Sequence, residues 1–316
     1  MTEKIRMGIA RCLLGEKVRY DGGHKHDRYI TQTLGNFLEF VPVCPEMECG
    51  MPVPRESMRL EGDPEAPRLI THKTKRDLTS MMEAWGPGKL KELEQEDLCG
   101  YIFKTRSPSS GMTRISVYGP DNKVYTSGVG IWARMFMERF PLLPVEDEGR
   151  LHDPGLRENF ITRVFVMKRW RNLVAEGFNV GKLVDFHTRH KLLILAHSQK
   201  HYREMGRMVA KVREHSPEDF FKSYLEILTQ ALALKTTPAK NINVLQHMMG
   251  YFKKQLTGDE KQELLELLDQ YRQGYAPLIV PVTLIKHFAR KYGQDYLQQQ
   301  IYLNPHPLEL GLRNHG

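Results

Sequence analysis

The chain has 316 residues, with 46 Lys and Arg against 38 Asp and Glu, a formal net charge of +8. Hydrophobic content of 41% and charged content of 27% exclude a disordered or fibrous chain, and the length favours two domains over a single core. No apolar stretch approaches the roughly 18–20 residues that cross a bilayer, residues 1–6 lack the apolar core of a signal peptide, and four cysteines are too few for a disulfide framework. These features predict a cytoplasmic protein whose thiols are free, metal-ligating or catalytic.

In chain order, residues 1–145 alternate short apolar runs with helical patterns. That predicts an α/β domain with a mostly parallel, Rossmann-like sheet. Strands are expected at 5–10, 38–43, 100–104 and 113–118, and helices at 27–37, 75–95 and 129–139. The Pro-rich segment 50–70 reads as loop. Segment 141–150, with Pro141, Pro144 and the acidic run Glu146-Asp147-Glu148, reads as the domain boundary. Asp153 then suits a helix N-cap and Pro154 the first helical position.

From there to residue 316 the pattern predicts an all-α domain. Helices are expected at 154–176, 180–198, 199–214, 217–233, 239–255, 258–273, 282–292 and 294–301. Thr257 or Asp259 caps the helix at 258, and Pro277 and Pro281 interrupt the chain before the one at 282.

Charge divides the two halves. Residues 1–150 carry 22 basic and 22 acidic side chains, so the whole excess falls in the second half. Residues 161–215 alone hold 12 basic and 4 acidic residues, together with His187, His190, His197, His201 and His215. A concentrated basic region is the footprint of a phosphate backbone, although composition alone slightly favours an ordinary solvated helix face. The candidates for RNA contact are Arg163, Lys168, Arg169, Arg171, Arg189, Lys191, Lys200, Arg203, Arg207, Lys211 and Arg213. Arg203, Arg207 and Lys211 are spaced by four and share a helix face. His187 and His190 could bind a metal, but without a carboxylate or cysteine partner a core or RNA-facing role is the better reading.

Three loops in the first domain leave strand candidates and open onto reactive residues: Ala10-Arg11-Cys12-Leu13-Leu14-Gly15, Cys44-Pro45-Glu46, and Ser107-Pro108-Ser109-Ser110-Gly111. Loops at the carboxyl ends of neighbouring parallel strands converge on one crevice, which predicts that two cysteines and a carboxylate share a site. Gly22-Gly23 and Gly128-Val129-Gly130 lack the spacing of a dinucleotide fingerprint. Cys99 precedes the strand that Ser110 follows, about 20 Å away along the strand direction, and reads as structural.

These loops, with Arg19-Tyr20-Asp21-Gly22-Gly23-His24-Lys25 and Pro52-Val53-Pro54-Arg55-Glu56, resemble the thiouracil desulfidase family over roughly residues 5–140. The helical half, with Leu151-His152-Asp153-Pro154, Phe186-His187-Thr188-Arg189-His190-Lys191 and Tyr251-Phe252-Lys253, resembles the second domain often fused to it. That two-domain form resembles bacterial tRNA 4-thiouridine desulfidases. The resemblance implies a [4Fe-4S] cluster held by three cysteines. It further implies that the iron without a protein ligand would bind the thiocarbonyl sulfur as a Lewis acid, that water would attack carbon 4, and that sulfide would depart onto that iron and leave uridine. The implied partner is tRNA, with no membrane and no protein partner.

Cys12 and Cys44 match two of the family's ligands. The third position, where the family reads Ser-Pro-Ser-Cys-Gly, is Ser110 here. Three explanations stand open: Cys49 supplies the third thiolate, the serine is an introduced substitution that traps an inactive state, or the chain is a natural homologue that has lost its cluster. The resemblance makes Glu46 the candidate for activating water or shuttling a proton; its plainer role is to pair with Arg55. Ser107 is a candidate for bonding the base or the attacking water, or simply shapes a Ser-Pro turn. Asp21 lies in what by itself is a turn signal, and the resemblance makes it a further catalytic candidate; Arg19, His24 and Lys25 meet substrate or solvent. Two other functions remain open: a cluster-less tRNA-binding protein, and a desulfidase of free thiobases or thionucleosides.

Overall fold

The computed structural model describes residues 4–119 and 123–314. The chain forms two compact units, residues 1–153 and 154–316.

The first unit is built on a parallel sheet in the order β2-β1-β5-β8, with β1 Ile5–Ala10, β2 Leu38–Val43, β5 Tyr101–Phe103 and β8 Val145–Asp147. Strands β1 and β2 pair along their whole length, from Ile5 opposite Leu38 to Ala10 opposite Val43. The two strands therefore end level, and the loops that follow start side by side. β5 pairs with β1 at Gly8 and Ile9. Gly8 has no side chain because a Cβ there would lie 2.2 Å from the ring of Tyr101. That ring is fully buried, and Phe136 of the helix Ile131–Arg139 packs on it with centroids 4.4 Å apart. Cys99 is buried, and its N–H donates to the carbonyl of Arg6, at the opposite end of β1 from Cys12.

A second sheet, β4-β3-β6-β7, departs from the expected architecture. It comprises β3 Met58–Glu61, β4 Arg68–Thr71, β6 Ile115–Tyr118 and β7 Val124–Gly128, with two antiparallel pairs joined by a parallel one. The strand expected at 113–118 exists but belongs here, not to the parallel sheet. The segment 50–70, read as loop, contains β3 and the start of β4. These strands are short and buried mainly at Leu60, Leu69 and Ile70, too brief for alternation to stand out.

The helices of this unit are α1 Pro45–Glu48, α2 Thr79–Glu94 and α3 Ile131–Arg139. The helix expected at 27–37 is instead a wide π-type turn at Tyr29–Thr33 followed by a 3-10 turn at Leu34–Asn36. The segment read as a linker carries β8. Its acidic run is buried because each carboxylate has partners: Glu146 pairs with Arg150, Asp147 accepts from the Arg150 N–H, and Glu148 holds Lys104 and the Thr105 N–H.

Among its described residues the second unit holds helices and no strand: α4 Pro154–Ala175, α5 Val180–His197, α6 Gln199–Ala210, α7 Pro217–Ala233, α8 Pro238–Met249, α9 Gly258–Arg272, α10 Ile279–Lys291 and α11 Asp295–Gln298. The starts are written in the sequence: Asn179, Ser198, Ser216 and Thr237 each accept a first-turn N–H, and Thr257 forms a capping box with Glu260. Pro281 falls inside the first turn of α10 and does not precede it, as that turn's N–H groups need no helical partner. Trp170, Phe186, Phe221 and Tyr224 form the aromatic centre, with Trp170 stacked on Tyr224 at 5.4 Å. No helix among the described residues is long and apolar enough to cross a membrane.

Candidate active site

After β1 the chain turns at Arg11–Leu14, a 3-10 turn closed by Gly15 at φ +97°. This buries Cys12, whose carbonyl accepts from the Lys25 N–H at 2.9 Å. After β2, Cys44 caps α1 in extended conformation, and its N–H donates to Oε1 of Glu48 at 2.8 Å. Pro45 suits the first helical position, so Glu46 follows Cys44 in a fixed orientation. After β5 comes the third loop, whose carbonyls cap α3: Pro108 and Ser109 accept from the N–H groups of Ile131 and Ala133 at 3.3 and 3.1 Å. Gly130 allows this approach, since a Cβ there would lie 2.4 Å from the Ser109 carbonyl oxygen.

The three loops meet at one cavity of about 270 Å³, whose lining includes Cys12, Cys44, Glu46, Arg55, Ser107 and Ser110. Glu46 is held from two sides: Ser109 donates to its Oε1 at 2.5 Å, and Arg55 stands 3.9 Å from its Oε2. The Arg55 guanidinium is itself fixed, donating to the carbonyl of Val18 at 3.1 Å. Ser107 Oγ lies 2.9 Å from Ser109 Oγ and accepts the Ser110 N–H at 3.1 Å. Ser109 is the member that sequence reading missed. It is fully buried, and its only signal was a place in a motif that also spells a turn.

The Cys44 thiol is 3.5 Å from Oε2 of Glu46. Burial, reinforced by the Glu46 carboxylate, pushes Cys12 up to about 11, Cys44 up to about 12 and Cys49 up to about 11. All three are neutral thiols near pH 7, so a metal must displace their protons to bind.

Arg19 also contributes to this lining, whereas Cys49 and Asp21 lie apart from it. Cys49 follows α1 and turns its thiol to the Glu46 carbonyl at 3.3 Å; it does not line the cavity. Asp21 is exposed and outside the lining. It accepts the Gly23 N–H at 3.0 Å, which with Arg19 holds its carboxyl below the usual range.

In the helical unit, Lys191, Arg203 and Arg207 line an open groove of about 520 Å³ with His187 and Tyr202. Arg189, Lys200, Lys211 and Arg213 are exposed, and Arg189 pairs with Asp185 at 2.8 Å. Arg163, Lys168 and Arg171 are half-buried. Arg169 donates to the Pro305 carbonyl at 2.8 Å, and burial pushes it down to about 10. His190 is a core residue stacked on Phe186 at 3.8 Å, and His187 meets the Tyr224 hydroxyl at 3.1 Å.

A family model described as 2-thiouracil desulfurase matches residues 7–148, and one described as a protein of unknown function, DUF1722, matches residues 191–307. A curated relative, the uncharacterized protein YbgA of Escherichia coli (strain K12), is 34% identical over 160 residues, which cover 50% of this chain and 95% of that protein. The chain belongs to the thiouracil desulfidase family. A solved structure of the [4Fe-4S]-dependent thiouracil desulfidase TudS is 27% identical, covering 48% of this chain and 95% of its own, with a TM-score of 0.39.

Iron–sulfur clusters take soft thiolates, and a hydroxyl is a hard ligand. Cys12 and Cys44 suit two corners of such a cluster. At the third, the cavity offers the Ser110 hydroxyl. Among the described residues no group of three or more His, Cys, Asp or Glu side chains is arranged to hold a metal ion.

Proposed function

We propose that this desulfidase-family chain removes sulfur from 4-thiouridine in tRNA to give uridine, with Cys12 and Cys44 as ligands of a [4Fe-4S] cluster and Ser110 at the third ligand position. The observation that carries the reading is the single cavity lined by Cys12, Cys44, Glu46, Ser107 and Ser110, from loops distant in sequence. Its volume lies just below the usual range for small-molecule pockets, about 300–1,000 Å³, and suits one unstacked base better than a duplex.

When bound, the cluster supplies a Lewis-acidic iron to the thiocarbonyl sulfur. The chain's own residues supply the rest. Glu46, fixed by Ser109 and Arg55, takes a proton from water beside the base. Ser107 hydrogen-bonds the base or that water. Val18, Tyr20 and Met58 form cavity walls that orient the ring. Asp21, exposed on its turn, takes at most an outlying role at the approach.

Support for tRNA comes from the helical unit, where the basic excess concentrates and where Lys191, Arg203 and Arg207 line one groove. Such a groove tracks phosphates. The second reading, a cluster-less tRNA-binding protein, is favoured by one observation, the hydroxyl at 110.

Substitution Ser110→Cys followed by anaerobic reconstitution distinguishes them. The desulfidase reading expects more iron and acid-labile sulfide per chain and faster loss of the thiolated base's absorbance from tRNA. If neither form takes up a cluster while both bind tRNA, the binding-protein reading replaces it.

A further inference from the structure

Five cations contribute to the lining of the cavity: Arg11, Arg19, Arg55, Lys104 and Arg106. Four of them are neutralised. Arg11 lies 3.4 Å from Glu48 and 3.6 Å from Glu16, Arg19 lies 3.5 Å from Asp21, Arg55 lies 3.9 Å from Glu46, and Lys104 pairs with Glu148. Arg106 forms no hydrogen bond or ion pair with any described residue, and its side chain is exposed.

Its backbone is also unusual, in a conformation it shares with Lys75, Asp97 and Arg114 among the described non-glycine residues. Arg106 sits at φ +56°, in the left-handed region that arginine enters only at a cost. The chain is held there from both sides: the Thr105 N–H donates to Glu148 Oε2 at 2.8 Å, and the Gly111 N–H donates to the Ser107 carbonyl at 2.8 Å. Strain of this kind persists where the surroundings over-determine it, and it gathers at ligand-contacting positions. Here it falls on a residue that lines the cavity and whose guanidinium has no hydrogen-bond or ion-pair partner among the described residues.

A neutral thiobase offers that guanidinium only uncharged acceptors and no anionic partner. A nucleotide does, because its phosphate extends from the ribose beyond the base. Planar guanidinium groups recognise phosphate oxygens in pairs, through short charge-assisted hydrogen bonds. We propose that Arg106 binds a phosphate flanking the substrate nucleoside and so selects nucleotides over free bases. The identity of the base rests on the desulfidase reading above; the anion site itself does not.

The test begins with the full chain as purified, titrated calorimetrically with uridine and with uridine 5′-monophosphate. The wild type should bind the monophosphate about tenfold more tightly than the nucleoside. Arg106→Asn tolerates positive φ and so keeps the loop; it should abolish that advantage, whereas Arg106→Lys should keep part of it. Equal affinity for the two ligands in the wild type, or an undiminished advantage in Arg106→Asn, overturns the proposal.

In the reconstituted chain, Arg106→Asn should lower the ratio of kcat/KM for 4-thiouridine 5′-monophosphate over 4-thiouracil by about tenfold. A thiolated oligonucleotide run alongside shows whether the phosphate is read on a free nucleotide or within a polymer. If no thiolated substrate releases sulfide while the preference for monophosphate persists, the desulfidase reading fails and the anion site stands. If sulfide is released with the same substrate ratio in both forms, the anion site fails alone.

Discussion

Ser109 donates its hydroxyl hydrogen to Oε1 of Glu46 over 2.5 Å, joining two loops 63 residues apart. Ser107 lies on the other side of Ser109, and its Oγ accepts the N–H of Ser110. The residue at the third ligand position is thus tied through two hydroxyls to the proposed proton carrier. Any change that swings the serine loop will also turn the carboxylate.

Replacing Glu46 with Gln is expected to lower turnover of thiolated tRNA by about 10²- to 10⁴-fold, the range for losing a general base. Ser109→Ala removes one fixed donor and leaves Arg55, so a smaller loss is expected, about tenfold in kcat with KM little changed. Initial rates across a substrate series measure both. A Ser109→Ala enzyme with wild-type kcat would mean that Arg55 orients the carboxylate unaided.

Gly130→Ala tests the seating of the same loop. The new methyl would lie 2.4 Å from the Ser109 carbonyl and 2.9 Å from the Gly111 nitrogen, both backbone atoms with little freedom to move. Destabilisation of about 1–3 kcal/mol is expected, as for other overpacked sites. Urea unfolding measures the stability, and sulfide release at a temperature where the variant remains folded should fall more than that loss explains. Wild-type stability would show that the serine loop yields at no cost.

What the sequence disclosed depended on the length and patterning of each element. β1 and β2 are six-residue apolar runs, and their register made the meeting of Cys12 and Cys44 foreseeable. β8 was hidden because Val145-Glu146-Asp147 reads as a charged linker until Arg150, Lys104 and backbone N–H groups are seen satisfying its carboxylates and that of Glu148. The second sheet was hidden by brevity: β3 and β4 each have four residues. Ser109 was hidden by chemistry, since Ser-Pro-Ser-Ser predicts a turn whether or not a hydroxyl faces a carboxylate. The cap of α9 was legible because it is local, Thr257 side chain to backbone within one turn.

Acid should weaken the helical unit. Burial pushes His187 to about 4, His190 to about 3 and His197 to about 4, from an ordinary value of 6.5. Above about pH 6.5 these rings are neutral whether the chain is folded or not, and their contribution is fully present. As pH falls from there toward 4, the unfolded chain binds protons that the folded one refuses, so stability drops. Urea midpoints followed by far-ultraviolet circular dichroism should fall steadily between about pH 7 and about pH 4.5. A flat midpoint over that window would contradict the burial of these rings.

The groove of the helical unit makes a salt-dependent prediction. Each phosphate deprived of its basic side chain should reduce the slope of log affinity against log salt by about one. Changing both Arg203 and Arg207 to Ala should therefore lower the slope for tRNA by about two and weaken binding similarly for all tRNA sequences. An unchanged slope would leave the basic face a solvated surface.

The central claim is that the Cys12 and Cys44 thiolates grip one iron–sulfur cluster that drives desulfuration of tRNA. Its most direct measurement is iron content and sulfide release from 4-thiouridine-containing tRNA, made on anaerobically reconstituted wild type, Cys12→Ala and Cys44→Ala side by side. The account predicts bound iron and one sulfide per uridine formed in the wild type, with both lost in either variant. Iron binding and sulfide release that survive both substitutions would contradict it.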